Sequence, residues 1–164
     1  MRMTKLFLLL ASISALVISS DGSALAASSA HADLPVSVVV SNNCTITTAA
    51  VTFAGYDPLS ATAADSTGGS VTITCTQGAT TTIGLNFGTN TPAGPASMAN
   101  GTYLLPYALY SDSGRSTLWG GATITPAAAP SKAPRTIPVY GRIPAGTDVP
   151  SGTYTDTVLA TVNF

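Results

Sequence analysis

The stretch Gly152-Thr-Tyr-Thr-Asp-Thr-Val-Leu-Ala-Thr-Val-Asn-Phe164 decides the fold. Tyr154, Val158, Ala160, Val162 and Phe164 share one parity, and Thr155, Thr157, Thr161 and Asn163 share the other. Successive side chains of a strand point to opposite faces, so the pattern predicts a strand buried on one side and Thr-rich on the other. Such a strand wants a neighbour on each edge, because unpaired backbone donors and acceptors invite pairing with another chain. The sequence ends at Phe164, so the second neighbour is expected to come from elsewhere.

Similar alternation recurs upstream. Arg135–Ile143 aligns Ile137, Val139 and Ile143 and leaves Arg142 pointing outward. Tyr103–Ser111 aligns Tyr103, Leu105, Tyr107 and Leu109, with Pro106 removing one ladder donor. Thr81–Phe87 aligns Ile83, Leu85 and Phe87, and Gly69–Thr76 aligns Val71, Ile73 and Cys75. Cys44–Phe53 is a further extended stretch. Leu59–Gly68, Gly88–Gly101 and Ala122–Pro134 are small, polar or Pro-rich and read as loops, with Met98 plugging the core from the second. A helical period is missing after the N-terminal leader, so the expected fold is an all-β sandwich. About six principal strands follow from Cys44, where an immunoglobulin-like sandwich has seven or more. The expected architecture is therefore an incomplete immunoglobulin-like β-sandwich lacking its last strand.

The leader carries Arg2 and Lys5, then the apolar run Leu6–Ile18, then two small-x-small sites, Ala24-Leu25-Ala26 and Ala30-His31-Ala32. This is the layout of a cleaved secretory signal; the run is shorter than the roughly 20 residues of a spanning helix. The expected division is a signal peptide over 1–26 (alternatively cut after 32), an arm over 27–43 and a sandwich domain over 44–164. In the arm, Leu34, Val36, Val38 and Val40 alternate, which predicts a strand. The only cysteines are Cys44 and Cys75, too few and too far apart for a zinc site or a CxxC motif. In an oxidising compartment they read as one disulfide, whose loop closure stabilises by about 3.5–4 kcal/mol.

Chemistry is sparse. The formal net charge is −1, there is no Glu, and no basic stripe exists to neutralise phosphates, so nucleic acid is not an expected partner. The single histidine, His31, lies in or beside the cleavage region; a cut after Ala32 leaves the mature chain without one, and that removes Ser-His and Cys-His nucleophile arrangements. Asp57, Asp112 and Asp156 sit at turns and strand ends, where carboxylates cap backbone N–H groups. No catalytic residue, metal ligand or cofactor is expected. Tyr154 is placed to bond back to the preceding turn as a tyrosine corner does, and Trp119 reads as core.

Several segments in order resemble the spore coat protein U family, which includes Csu-type pilins of the archaic chaperone–usher pathway. They are Cys44-Thr-Ile; Phe53-x-x-Tyr56-Asp57-Pro58; Gly69-x-Val-x-Ile-x-Cys75-Thr; Ile83-Gly-Leu-x-x-Gly88; Leu105-x-Tyr107-x-Leu-Tyr110-x-Asp112; Trp119-Gly120; Val139-Tyr-Gly-Arg-Ile-Pro-Ala-Gly146; and Gly152-x-Tyr-x-Asp156-x-Val-x-x-x-Val-x-Phe164. The resemblance implies an exported structural subunit completed by donor-strand complementation. A periplasmic chaperone would lend the missing strand first, and the arm of a neighbouring copy or related subunit would replace it at an outer-membrane usher. It makes Leu34, Val36, Val38 and Val40 the donor strand and Val158, Ala160, Val162 and Phe164 the acceptor-groove strand. The alternative is that the arm forms the first strand of its own domain. Adhesive pili and a spore or cell-surface coat are both roles for such a subunit; a monomeric periplasmic enzyme or ligand-binding sandwich is a third reading.

Overall fold

The computed structural model describes residues 28–164, and for Thr67 the backbone alone. The expected signal peptide over 1–26 lies outside the described residues. The chain divides into a unit ending at Val38 and a unit from Val39 to Phe164. Of the first unit, the described residues are exposed and form no regular element. Where the alternation over Asp33–Val40 predicts a strand, the backbone forms none, since no ladder partner fixes one among the described residues.

The second unit is all-β: β1 (Cys44–Phe53), β2 (Ala64–Cys75), β3 (Thr82–Leu85), β4 (Ser97–Asn100), β5 (Tyr103–Pro106), β6 (Ala108–Tyr110), β7 (Thr123–Ile124), β8 (Arg135–Pro138), β9 (Tyr140–Ile143) and β10 (Ala160–Asn163). One sheet runs β1-β2-β9-β6, with β8 also on β2; a second runs β10-β3-β7; β4 and β5 form a hairpin. The open sheets fit an immunoglobulin-like sandwich. Its core takes Val71, Ile73 and Cys75 from β2, Ile83 and Leu85 from β3, Leu105, Leu109 and Ile143, with Trp119 at 0% exposure. The Trp119 indole N–H donates to the Ile83 carbonyl at 3.0 Å, so the ring fills the core without leaving its polar atom unpaired.

Prolines cut two of the expected strands. Tyr103–Ser111 divides into β5 and β6 after Pro106, and Arg135–Ile143 divides into β8 and β9 after Pro138, because proline has no ladder N–H. Strand β1 is disturbed differently. Its register on β2 slips between Ala49 and Thr52, a bulge that shifts the inward parity from Cys44 and Ile46 to Val51 and Phe53. Gly141 makes this possible: a Cβ there would lie 2.8 Å from the Phe53 ring and 2.9 Å from Val51 Cγ1.

Candidate functional site

The last strand is shorter than its sequence pattern. Only Ala160–Asn163 ladder, on Leu85–Thr82 of β3. Before that, Leu159 continues the pairing through Asn86, whose N–H donates to the Leu159 carbonyl at 3.1 Å while its Oδ1 accepts the Leu159 N–H at 2.8 Å. Further back, Thr155 exchanges backbone hydrogen bonds with Ala99 of β4, at 2.9 and 3.1 Å. The stretch is thus held by β3, by Asn86 just beyond it and by β4. Among the described strands, β10 is the end of its sheet, as β1 is of the opposite sheet.

Asp156 fixes the middle of this stretch. Its Oδ1 accepts from the backbone N–H groups of Thr89 (2.9 Å), Asn90 (3.3 Å) and Thr157 (2.8 Å), and from the Thr89 hydroxyl (3.2 Å). Its Oδ2 accepts the Tyr107 hydroxyl at 2.8 Å. Burial, and then the bond to Asp156, push the Tyr107 phenol well above its ordinary value of 10.0. Gly88 (φ +93°) leaves the room: a Cβ there would collide with the Asp156 carboxylate. The Tyr154 hydroxyl donates to the Pro150 carbonyl at 2.8 Å, four residues back, which sets the angle at which the chain enters the stretch.

Between these two sheet-end strands lies a trough. A cavity of about 370 Å³ is walled by Thr48–Val51 and Phe53 of β1 on one side and by Tyr154–Val158 and Ala160 on the other. Its floor is apolar, made by Val71, Leu85, Met98, Leu109 and Val139, with Tyr107 beside Asp156. A second cavity of about 620 Å³ shares Val51, Phe53, Met98 and Tyr154 and extends the trough toward Tyr56, Ile143 and Val149. Met98, half-buried, therefore lines the groove from β4, an element its position in a Gly- and Pro-rich run hides.

Of the residues assigned to the acceptor strand, Val158 and Ala160 line the trough. Val162 is half-buried against the core, and Phe164 is 54% exposed and lines neither cavity. Of the arm, Leu34, Val36, Val38 and Val40 are 85%, 89%, 85% and 76% exposed. Cys44 and Cys75 are joined in a disulfide at the first residue pair of the β1–β2 ladder.

Other carboxylates are bound structurally. Asp57 caps the Leu59 N–H at 2.9 Å, and Asp112 caps Ser116 and Thr117. The Thr117 backbone N–H, and then that of Ser116, hold the Asp112 carboxyl below its ordinary value. Asp65, whose role the sequence hides, takes a two-pronged bond from Arg142 at 2.7 and 3.0 Å and lies 3.2 Å from Arg115 Nε. The Arg142 bond is the main reason its carboxyl is held below the usual range. This pairing belongs to the β2–β9 register, Asp65 opposite Arg142, and so starts β2 at Ala64 inside the expected loop Leu59–Gly68. Among the described residues, no three or more His, Cys, Asp or Glu side chains gather into a metal-binding group, and no helix is long and apolar enough to cross a membrane.

The geometry defines a β-sandwich with one open groove between the edges of its two sheets. The chain matches the Spore Coat Protein U domain over residues 30–161, and it belongs to that family. It is 36% identical over 155 residues to "Protein U" of Myxococcus xanthus, covering 84% of this chain and 87% of that one. Among solved structures it is similar to a chain of the CsuC–CsuE chaperone–tip adhesion subunit pre-assembly complex from archaic chaperone–usher Csu pili of Acinetobacter baumannii. That likeness has a TM-score of 0.55 at 24% identity and covers 76% of this chain; the match spans 40% of the solved chain's length, and it speaks to the fold.

Proposed function

We propose that this protein is an exported structural subunit that polymerises by donor-strand exchange. The observation that carries the reading is the trough between β1 and β10, apolar at its floor and lying between two strands that each end their sheet among the described strands. The complementary feature is the arm, whose alternate apolar residues stand in solvent. An extended segment laid in the trough satisfies both, with main-chain bonds for affinity and every second side chain in the floor. Donor and acceptor are different surfaces of one chain, so the contact is head-to-tail and propagates into a filament rather than closing.

Before assembly the trough needs a temporary occupant. A periplasmic chaperone strand is the proposed one, exchanged for a neighbour's arm at an outer-membrane usher. The solved complex similar to this chain pairs a chaperone with a pilus tip subunit, which supports the analogy. The disulfide fits an oxidising compartment, and surface display in adhesive, biofilm-forming pili follows from the same analogy. No step of this function calls for catalysis or a cofactor.

The family description favours a second reading, a coat laid down by the same contact. Negative-stain microscopy of the exported protein tests both. Thin unbranched threads are expected from the wild type, and none from a chain whose Leu34–Val40 is replaced by a Gly-Ser segment. Sheets or amorphous layers from the wild type would favour the coat, and equal threads from both chains would remove the arm as donor.

A further inference from the structure

We infer that the Cys44–Cys75 disulfide is a load clamp that isolates the groove from tension arriving through the protein's own arm. The inference rests on the fibre reading above. It begins with a juxtaposition: the arm runs directly into β1, and β1 is also one wall of the groove. Val40 is followed by Ser41, Asn42 and Asn43, and Cys44 is the first residue of β1. Thr48–Val51 and Phe53, further along that strand, wall the trough. Among the described strands β1 pairs with β2 alone. In a head-to-tail fibre, pull on a subunit's arm would draw on β1 from its first residue. Peeling β1 from β2 would then dismantle the wall that holds the next subunit. Each subunit would lose its grip on one neighbour by being pulled by the other.

The chain is fastened at the point where that load enters. The Asn43 N–H donates to the Thr76 hydroxyl at 3.0 Å, and the Thr76 N–H donates to the Asn43 carbonyl at 2.9 Å. One residue on, Cys44 faces Cys75 as the first pair of the ladder, and the two are bonded covalently. The load therefore crosses into β2 before it reaches any wall residue. Strand β2 is the interior strand of the sheet, held by β1 on one side and by β8 and β9 on the other. A bridge placed anywhere later in β1 would leave the preceding ladder pairs to peel.

The test is force spectroscopy on assembled wild-type fibres, held at constant load before and after reduction of the bridge, with alkylation and mass spectrometry confirming the thiols. Reduction is expected to shorten fibre lifetime under load by about tenfold or more, the rate effect of losing one ladder pair from the barrier. Lifetime without load is expected to change far less, since the loop-closure stabilisation acts mainly through the unfolded chain and the folded groove is intact. Fibres of the Cys44→Ala/Cys75→Ala double variant are expected to behave as the reduced ones. Equal loaded lifetimes with and without the bridge would overturn the inference and leave the fibre reading standing. An equal loss with and without load would also overturn it, by assigning the bridge a general stabilising role. Absence of wild-type fibres would overturn the fibre reading, and the clamp with it.

Discussion

Replacing Val36 by Asp probes the arm most sharply. Val36 is 89% exposed in the free subunit, so the substitution costs the isolated chain almost nothing. In the trough the position would be dry. A Val side chain gains about 1.5–3 kcal/mol on full burial, and all of that is lost. An unpaired carboxylate adds a penalty on the order of a few kcal/mol, because no cation lines the floor. The total of about 4 kcal/mol or more corresponds to weakening of subunit joining by roughly a thousandfold. The control is Val39→Asp. Val39 is 91% exposed but has the opposite parity, so its side chain would face away from the floor. Sedimentation velocity of exported protein at matched concentration reads both variants. Polymers are expected from Val39→Asp and only chaperone-bound or unassembled subunit from Val36→Asp. Equal polymerisation of the two would refute the alternation argument.

Other expectations follow from the groove wall. Asp156→Ala should lower stability by about 2–4 kcal/mol in urea unfolding, because Tyr107, Thr89 and Asn90 lose their shared acceptor. Gly88→Ala should lower it by about 1–3 kcal/mol, through positive-φ strain and collision with the same carboxylate. Tyr107 has a folded-state pKa raised above its unfolded value, so the stability it contributes is present below about pH 10 and is lost as pH rises beyond it. A Tyr107→Phe variant should show a flatter alkaline unfolding profile, and an unchanged one would contradict the assignment. Cys44→Ser should reduce periplasmic yield, with a stability loss of about 3.5–4 kcal/mol from the lost loop closure.

The sandwich was legible because its core strands alternate cleanly. Val71, Ile73 and Cys75, then Ile83 and Leu85, are inward in the sequence pattern and buried in the fold. What was not legible depends on partners distant in sequence. Ser97–Asn100 becomes a strand only because Tyr103–Pro106 folds back on it and Ala99 meets Thr155. Ala64 and Asp65 lie in a small, polar run and become part of β2 through Ile143 and Arg142, 79 and 77 residues on by subtraction of their numbers. The bulge at Ala49–Thr52 cannot be read from β1 itself, since it exists to seat Val51 and Phe53 over Gly141. For the groove, the last strand pointed to one wall, while the opposing wall, β1, carries so little apolar alternation after Ile46 that nothing in it marks an edge. The role of Asp156 as the acceptor for both the Thr89–Asn90 loop and Tyr107 needed three segments brought together, which no spacing announces.

The central claim is that the trough is a vacant strand position whose ligand is the arm sequence. The most direct measurement is thermal unfolding, with analytical ultracentrifugation, of a chain carrying a flexible linker and a copy of Leu34–Val40 after Phe164. The predicted result is a soluble monomer with a cooperative, higher-melting transition, against a wild type that polymerises or fails to stay folded alone. A wild type that is already a stable, cooperatively melting monomer, and gains nothing from the added strand, would contradict the account.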